Sequence, residues 1–396
     1  MNDLRNLYLR WSSLVIFRNL LKSPVIAKLE SLIANIDNPL SGVKLYADFV
    51  SELYHNCDNF SDFIYNFIME DENVYIKAKA KGEEPGEAIE KALENELAVL
   101  QELSLLRSSD LKAFIKYYDF LPDWNNTEYD FLRAYRENVG DVSRRGLGIF
   151  RKYRMFIIEE GKIVPVKYPD RQSLFSLVLY DRERNIVVQN TLTLLSGRAA
   201  SNILLYGDAG TGKSSTVKAI VNHYFDMGLR LVEIKKHQLP ELPAILSQLA
   251  ENPLKFIVFV DDLSFSESDD SFTALKALLE GSVSAKSDNV VIYATSNRRH
   301  LVRESHKDRY GDDVHVNDTL EELMGLTARF GITVTFERPD KESYLEIVRR
   351  LAEEYGLTAS EKLLADAEAF AIRKNGRSPR TAKQFIELQK SGLYLF

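Results

Sequence analysis

The segment Gly207-Asp208-Ala209-Gly210-Thr211-Gly212-Lys213-Ser214 constrains this chain more than any other. It follows the apolar run Asn202 to Tyr206 and precedes a helix-like run from Ser215 to Tyr224, so it reads as the turn between a buried strand and a helix. The spacing G-x-x-x-x-G-K-S demands a fold that aims such a turn at phosphate. Glycines let successive N–H groups point inward, and the helix that follows adds the positive end of its dipole. In a loop of this kind Lys213 reaches the β- and γ-phosphates and Ser214 ligates Mg²⁺, with the backbone through Ser215 completing the cradle. The implied ligand is a nucleoside triphosphate.

At 396 residues the chain exceeds a usual single core, and two or three domains are expected. Past residue 171 the strand-and-helix alternation continues. Leu229 to Ile234, Phe256 to Val260, Val290 to Ala294 and Ile332 to Phe336 are short apolar runs separated by helical stretches. Strands without polar alternation are covered on both faces, which predicts a mostly parallel sheet between helices over 171–339. From 340 to 396 the periodicity is helical only. Asp340 can cap a helix whose Tyr344, Ile347, Val348, Leu351 and Tyr355 share one stripe and which Gly356 ends, and Ser378-Pro379 reads as the cap and first position of a last helix. This segment is expected to be a small helical lid.

Residues 1–145 carry apolar residues at helical spacing, broken at Lys81 to Gly86, and predict a helical accessory region whose many aromatics pack a core. Within it, the run Trp11 to Leu21 is expected as a buried core helix rather than an interfacial one. Residues 146–170 read as a β-hairpin or linker, with strands over Ile149 to Ile158 and Ile163 to Val166, and Pro165 marks an edge strand. The basic cluster Arg144, Arg145, Arg151, Lys152 and Arg154 is expected to be a solvated face.

Composition narrows the function classes. A formal charge of −7 gives no support to a surface that coats nucleic acid, and a single cysteine, Cys57, excludes an intrachain disulfide and a cysteine-built metal site. The six histidines lack zinc-site spacing, and the acids Glu267, Asp269 and Asp270 in a serine-rich stretch read as a solvated loop. No apolar run approaches the length that spans a membrane, and the start lacks the pattern of a secretory leader. A cytoplasmic protein without membrane contact is expected.

Three further segments fit the chemistry of the loop. Phe256 to Val260 ends in Asp261-Asp262, an apolar strand delivering acids: Asp261 would hold Mg²⁺ together with Ser214, and Asp262 would orient or deprotonate the attacking water. Asp262 is one methylene shorter than the glutamate usual at such a place, which predicts slow hydrolysis. Ala294-Thr295-Ser296-Asn297 ends the next strand, where Asn297 can hydrogen-bond the attacking water and sense the γ-phosphate. Arg329, just before the last strand, is a candidate arginine finger acting on a neighbouring subunit, because a planar guanidinium that keeps its proton suits a spread phosphoryl charge. Arg380, in the first turn of the last helix, is a candidate γ-phosphate sensor in cis, with Arg377 its competitor.

In their order along residues 175–390 these features resemble the AAA+ ATPases. The runs Leu204-Leu205-Tyr206-Gly207-Asp208, Asp261-Asp262-Leu263-Ser264-Phe265, Tyr293 to Leu301 and Gly376-Arg377-Ser378 resemble, within them, a bacterial family of predicted ATPases known as domain of unknown function 815, which shares the paired aspartates. The resemblance implies an α/β P-loop fold with strand order 5-1-4-3-2, ATP rather than GTP, and packing of the Tyr180-Asp181-Arg182-Glu183 segment against adenine. It also implies a homo-oligomeric ring or filament with active sites between subunits, and assigns the roles of Arg329 and Arg380 by motif order. The client is unknown. The leading expectation is an ATP-hydrolysing machine or switch that couples nucleotide state to the lid and the helical region. The alternatives are an ATP-gated assembly scaffold with little turnover and a replication-initiator-like or loader ATPase on DNA. No DNA-recognition module is evident at either end.

Overall fold

The computed structural model describes residues 2–35, 39–115, 119–263, 275–276, 279, 288–297, 328–374 and 376–392. The acids Glu267, Asp269 and Asp270, and the part of the Tyr293 to Leu301 run from Arg298 on, lie outside the described residues. The chain divides into two compact units, 1–152 and 153–396.

The first unit is built from α1 (Asn2–Ser12), α2 (Pro24–Ala34), α3 (Pro39–Asn56), α4 (Phe60–Glu70), α5 (Val74–Ala80), α6 (Glu87–Ser104), α7 (Ser108–Lys112), α8 (Phe131–Gly140), α9 (Val142–Arg145) and α10 (Gly148–Lys152). Trp11, Phe17, Tyr46, Phe49, Phe60 and Tyr135 are fully buried in one cluster, whereas Tyr54 and Phe120 are exposed. Trp11 to Leu21 is not one helix. The chain leaves α1 at Ser12 and re-forms only a 3₁₀ turn at Arg18–Lys22. The amides freed by the break are satisfied by a buried carboxylate, since Glu96 on α6 accepts from Val15, Ile16 and Phe17 at 2.7–3.1 Å.

The second unit carries β1 (Met155–Glu159), β2 (Lys162–Pro165), α11 (Asp181–Leu195), β3 (Ile203–Gly207), α12 (Lys213–Tyr224), β4 (Leu229–Ile234), α13 (Leu242–Ala250), β5 (Lys255–Val260), β6 (Val290–Ser296) and β7 (Ile332–Phe336). After them come the helices of the segment expected as a lid, α14 (Lys341–Glu354), α15 (Glu361–Arg373) and α16 (Pro379–Lys390). The sheet order is β2-β1-β4-β5-β6-β3-β7, seven strands rather than the five expected. Its last five strands, numbered among themselves from β3, stand in the expected 5-1-4-3-2 arrangement and are all parallel. The fold is an α/β P-loop architecture with a mostly parallel sheet, widened by the hairpin.

That hairpin is part of the sheet: β1 pairs parallel to β4, and β2 antiparallel to β1. Pro165 lies in β2, the outer strand, where a missing N–H costs no ladder bond. The first strand starts six residues later than the apolar run suggested. Ile149 to Lys152 are helical, and Arg151 hydrogen-bonds Asn138 of α8, which holds this stretch to the first unit.

Parallel strands place all their carboxyl ends on one edge, and the register makes the edge explicit. Tyr206 stands beside Ser296, Gly207 beside Phe336, and Val260 beside Ala294. Loops from different strands therefore meet there, as ligand sites of open α/β sheets do. The lid packs its own core on Tyr344, Ile347, Phe370 and Phe385, and its three helices are capped by Asp340, Ser360 and Ser378. Gly356, at φ +72°, follows the first of them. Among the described residues no helix is long and apolar enough to cross a membrane.

Candidate functional site

The glycine loop takes the shape its sequence requires. Gly207 sits at φ +133°, and a Cβ there would lie 2.1 Å from the Phe336 carbonyl oxygen, so the loop leaves β3 in a path that only glycine allows. Gly212, at φ +95°, opens α12 with nothing within 4 Å of where its Cβ would be, which leaves the helix N-terminus open to a phosphate. Lys213 is buried, and its Nζ donates to the carbonyl oxygens of Gly207 (2.8 Å) and Asp208 (2.7 Å) and to Asn297 Oδ1 (3.0 Å). Burial pulls its pKa down to about 8, against the opposing pull of Asp208, Asp261 and Asp262. Thr211 closes the turn by donating to the Asp208 carbonyl.

The acids at the end of β5 meet the loop. Ser214 Oγ donates to Asp261 Oδ1 at 2.6 Å, which brings a hydroxyl and a carboxylate together as Mg²⁺ prefers its hard oxygen ligands. Asp262 adopts a left-handed backbone conformation, φ +53°, and its Oδ1 accepts from Asn297 Nδ2 at 2.9 Å. Asp261 thus touches Ser214, and Asp262 touches Asn297. The residues present fit a triphosphate with its metal: an open helix N-terminus, a buried cation, and paired oxygen donors.

Over these groups lies a cavity of ≈ 550 Å³, within the usual range for small-molecule sites. The loop from Ala209 to Thr216 forms its floor with Asp261, Asp262, Thr295 and Asn297, while Leu177, Val178 and Tyr180 form one wall and Ile347, Leu351, Pro379, Arg380 and Lys383 of the lid another. Tyr180, at φ +66°, precedes α11 as its cap residue. Its hydroxyl donates to the Glu337 carbonyl at 2.6 Å and its ring tilts onto Phe336 at 5.2 Å, and burial pushes its pKa well up. Its hydroxyl is thereby tied to the residue that follows β7.

The three arginines separate. Arg380 lines the cavity, and its backbone N–H donates to the Gly210 carbonyl at 3.2 Å, tying the lid to the phosphate loop. Arg377 turns instead to Glu368, with paired hydrogen bonds from Nε at 3.1 Å. Arg329 precedes β7, whose Ile332 is in register with Ile203 at the start of β3. The loop follows the other end of β3, after Gly207.

Sequence reasoning missed two participants. Arg338 donates its backbone N–H to Asp208 Oδ2 at 3.1 Å, and its guanidinium stands against Gly376 at the foot of the lid. Thr295, two residues before Asn297, hydrogen-bonds both acids. The strand order was the available signal for Thr295, because it makes β6 the neighbour of β5 and places Thr295 across from the acids.

The model of a family described as a protein of unknown function (DUF815) matches residues 150–392. Among solved structures, a RuvB variant of Thermotoga maritima is similar over 56% of this chain and 64% of its own, at 15% identity and a TM-score of 0.38. The FIGL-1 AAA domain in complex with ADP is similar over 57% of this chain and 74% of its own, at 16% identity and a TM-score of 0.40. AMPPCP-bound DnaA from Aquifex aeolicus is similar over 57% and 66%, at 17% identity and a TM-score of 0.39. The chain thus spans less than two thirds of the RuvB chain it matches.

Proposed function

The chain belongs to the family described as a protein of unknown function (DUF815), and from its site we propose that it binds ATP with Mg²⁺ and hydrolyses it to ADP and phosphate. The observation that carries this reading is the meeting of Lys213, Ser214, Asp261, Asp262 and Asn297 at one edge of the sheet under a lid-walled cavity. In the reaction, Lys213 exchanges its carbonyl partners for phosphate oxygens, and Ser214 and Asp261 would hold the metal, which supplies charge neutralisation across the phosphates. Asn297 orients a water beside Asp262, whose carboxylate takes the water's proton as its oxygen bonds to the γ-phosphorus and the bond to the bridging oxygen breaks. Arg380 reads the γ-phosphate from the lid, and its backbone tie to Gly210 supports coupling of loop and lid.

Arg329 acts in this reading on the site of a second copy, in a ring or filament. Its place before β7, whose first residue is in register with the start of β3 and not with the loop end, supports action between subunits rather than within one. The nucleotide state would then act on the assembly, the lid and an unidentified client. A second reading, an ATP-gated assembly scaffold with little turnover, draws on the short Asp262 side chain and its engagement with Asn297. Titration of a fluorescent ATP analogue with Mg²⁺ tests what the two readings share: wild type is expected to bind, and Lys213→Ala to bind at least about tenfold more weakly. Equal affinity of the two proteins would contradict nucleotide binding at this loop.

A further inference from the structure

Among the site's buried polar side chains, Thr295 has no task in the ATPase roles yet touches both acids. Thr295, at the end of β6, is 2% exposed. Its Oγ1 donates to Asp261 Oδ1 at 2.6 Å and accepts the backbone N–H of Asp262 at 2.9 Å, so one hydroxyl touches both acids. The β5–β6 pairing shows why a hydroxyl is needed there. The regular ladder ends with Val260 beside Ala294, and the Leu263 N–H then reaches the Thr295 carbonyl at 2.7 Å. Asp261 and Asp262 thus occupy the stretch facing a single residue, and Asp262 takes it up by adopting φ +53°, a left-handed conformation that favours glycine and, after it, asparagine and aspartate. The Asp262 amide turned out of the ladder has the Thr295 hydroxyl as its acceptor.

The contacts close a ring. Ser214 bonds Asp261, Asp261 bonds Thr295, Thr295 bonds Asp262, Asp262 bonds Asn297, and Asn297 bonds Lys213, the neighbour of Ser214 in sequence. Five of these six side chains, Lys213, Ser214, Asp261, Asp262 and Asn297, would touch nucleotide, metal or water. Thr295 alone acts through others, and it joins the acid placed for the metal to the acid placed for the proton.

We propose that Thr295 is a positioning residue whose single hydroxyl aims Asp261 at the metal beside Ser214 and holds Asp262 in the turn that presents its carboxylate to Asn297. The proposal rests on the ATPase reading of the site. A valine has the same shape and no hydroxyl, and a serine keeps the hydroxyl and loses only the methyl.

The test titrates Mn²⁺ by electron paramagnetic resonance into the full chain carrying a non-hydrolysable ATP analogue, alongside phosphate release. For Thr295→Val the expected result is metal-free analogue affinity within about threefold of wild type, Mn²⁺ affinity about tenfold weaker or more, and kcat lower by roughly a hundredfold with KM little changed. Thr295→Ser is expected within about threefold of wild type in each measure. A Val variant that matches wild type in Mn²⁺ affinity and kcat overturns the proposal. So does a Ser variant as impaired as Val, because the methyl and not the hydroxyl would then matter, or a Val variant that loses metal-free nucleotide binding to the same degree. If Thr295→Val does not fold, Thr295→Ala removes the same hydroxyl and carries the same expectations. Wild type that binds no analogue overturns the ATP reading and this role with it, whereas wild type that binds and turns over beside an unchanged Val variant overturns the role alone.

Discussion

Lys213 shows how a site can be poised before its ligand arrives. Its ammonium is buried but has three oxygen partners, so the charge is tolerated, and burial still brings its pKa down to about 8. Because the value lies below the ordinary 10.5, the fold favours the neutral amine. The stability this group contributes is complete above the unfolded value and is lost as pH falls through the folded one. Nucleotide affinity runs the other way, since only the ammonium pairs with phosphate. ATP affinity of the free protein is expected to be nearly flat up to about pH 7.5 and to fall by up to about tenfold per unit above pH 8, measured by calorimetric titration. Affinity that rises through that window would contradict the assignment. Gly207 makes a sharper claim about shape. With φ at +133° and the Phe336 carbonyl 2.1 Å from a would-be Cβ, Gly207→Ala is expected to cost on the order of 3 kcal/mol in a denaturant melt and to abolish nucleotide binding.

At the scale of elements, the phosphate loop and the last lid helix are linked. Ser378 caps α16 by accepting the Thr381 N–H, its Oγ is 3.0 Å from the point a Gly210 Cβ would occupy, and Arg380 in the first turn donates its backbone N–H to the Gly210 carbonyl. Ser378→Ala is expected to destabilise the helix by about 1 kcal/mol and to raise hydrogen exchange in α16 with little change in the sheet. Unchanged exchange in α16 would show that the cap is not holding the helix.

How far such elements could be read in advance depends on what held them. The strands β3 to β7 and the Asp340 and Ser378 caps were legible because local pattern decides them: continuous apolar runs for two-sided burial, and a short polar side chain before a helix. Trp11 to Leu21 was misread because a partner eighty residues away, Glu96, satisfies the break. Ile149 to Lys152 was misread because an apolar run this short suits a helix and a strand equally. Arg338 and the hydroxyl of Thr295 act through the sheet's register, and no single segment carries that information.

On the scale of the whole molecule, the two units have separate cores. The aromatic cluster of the first unit draws all its buried members from Leu7 to Tyr135. Residues 1–152 expressed alone are expected to melt cooperatively by circular dichroism, and a non-cooperative, ANS-binding fragment would contradict independent folding. Arg329 bears on assembly. Sizing by light scattering is expected to show growth of the wild type with ATP and Mg²⁺, reduced in Arg329→Ala, and indifference of assembly to both nucleotide and this arginine would remove the intersubunit site. In the proposed reaction, ATP is hydrolysed where Asp262 and Asn297 meet the phosphate loop. Steady-state phosphate release from wild type and Asp262→Asn tests it most directly. Wild type is expected to turn over slowly and the variant to bind ATP while losing roughly a hundredfold in rate. Equal rates in the two proteins, or none in either, would contradict it.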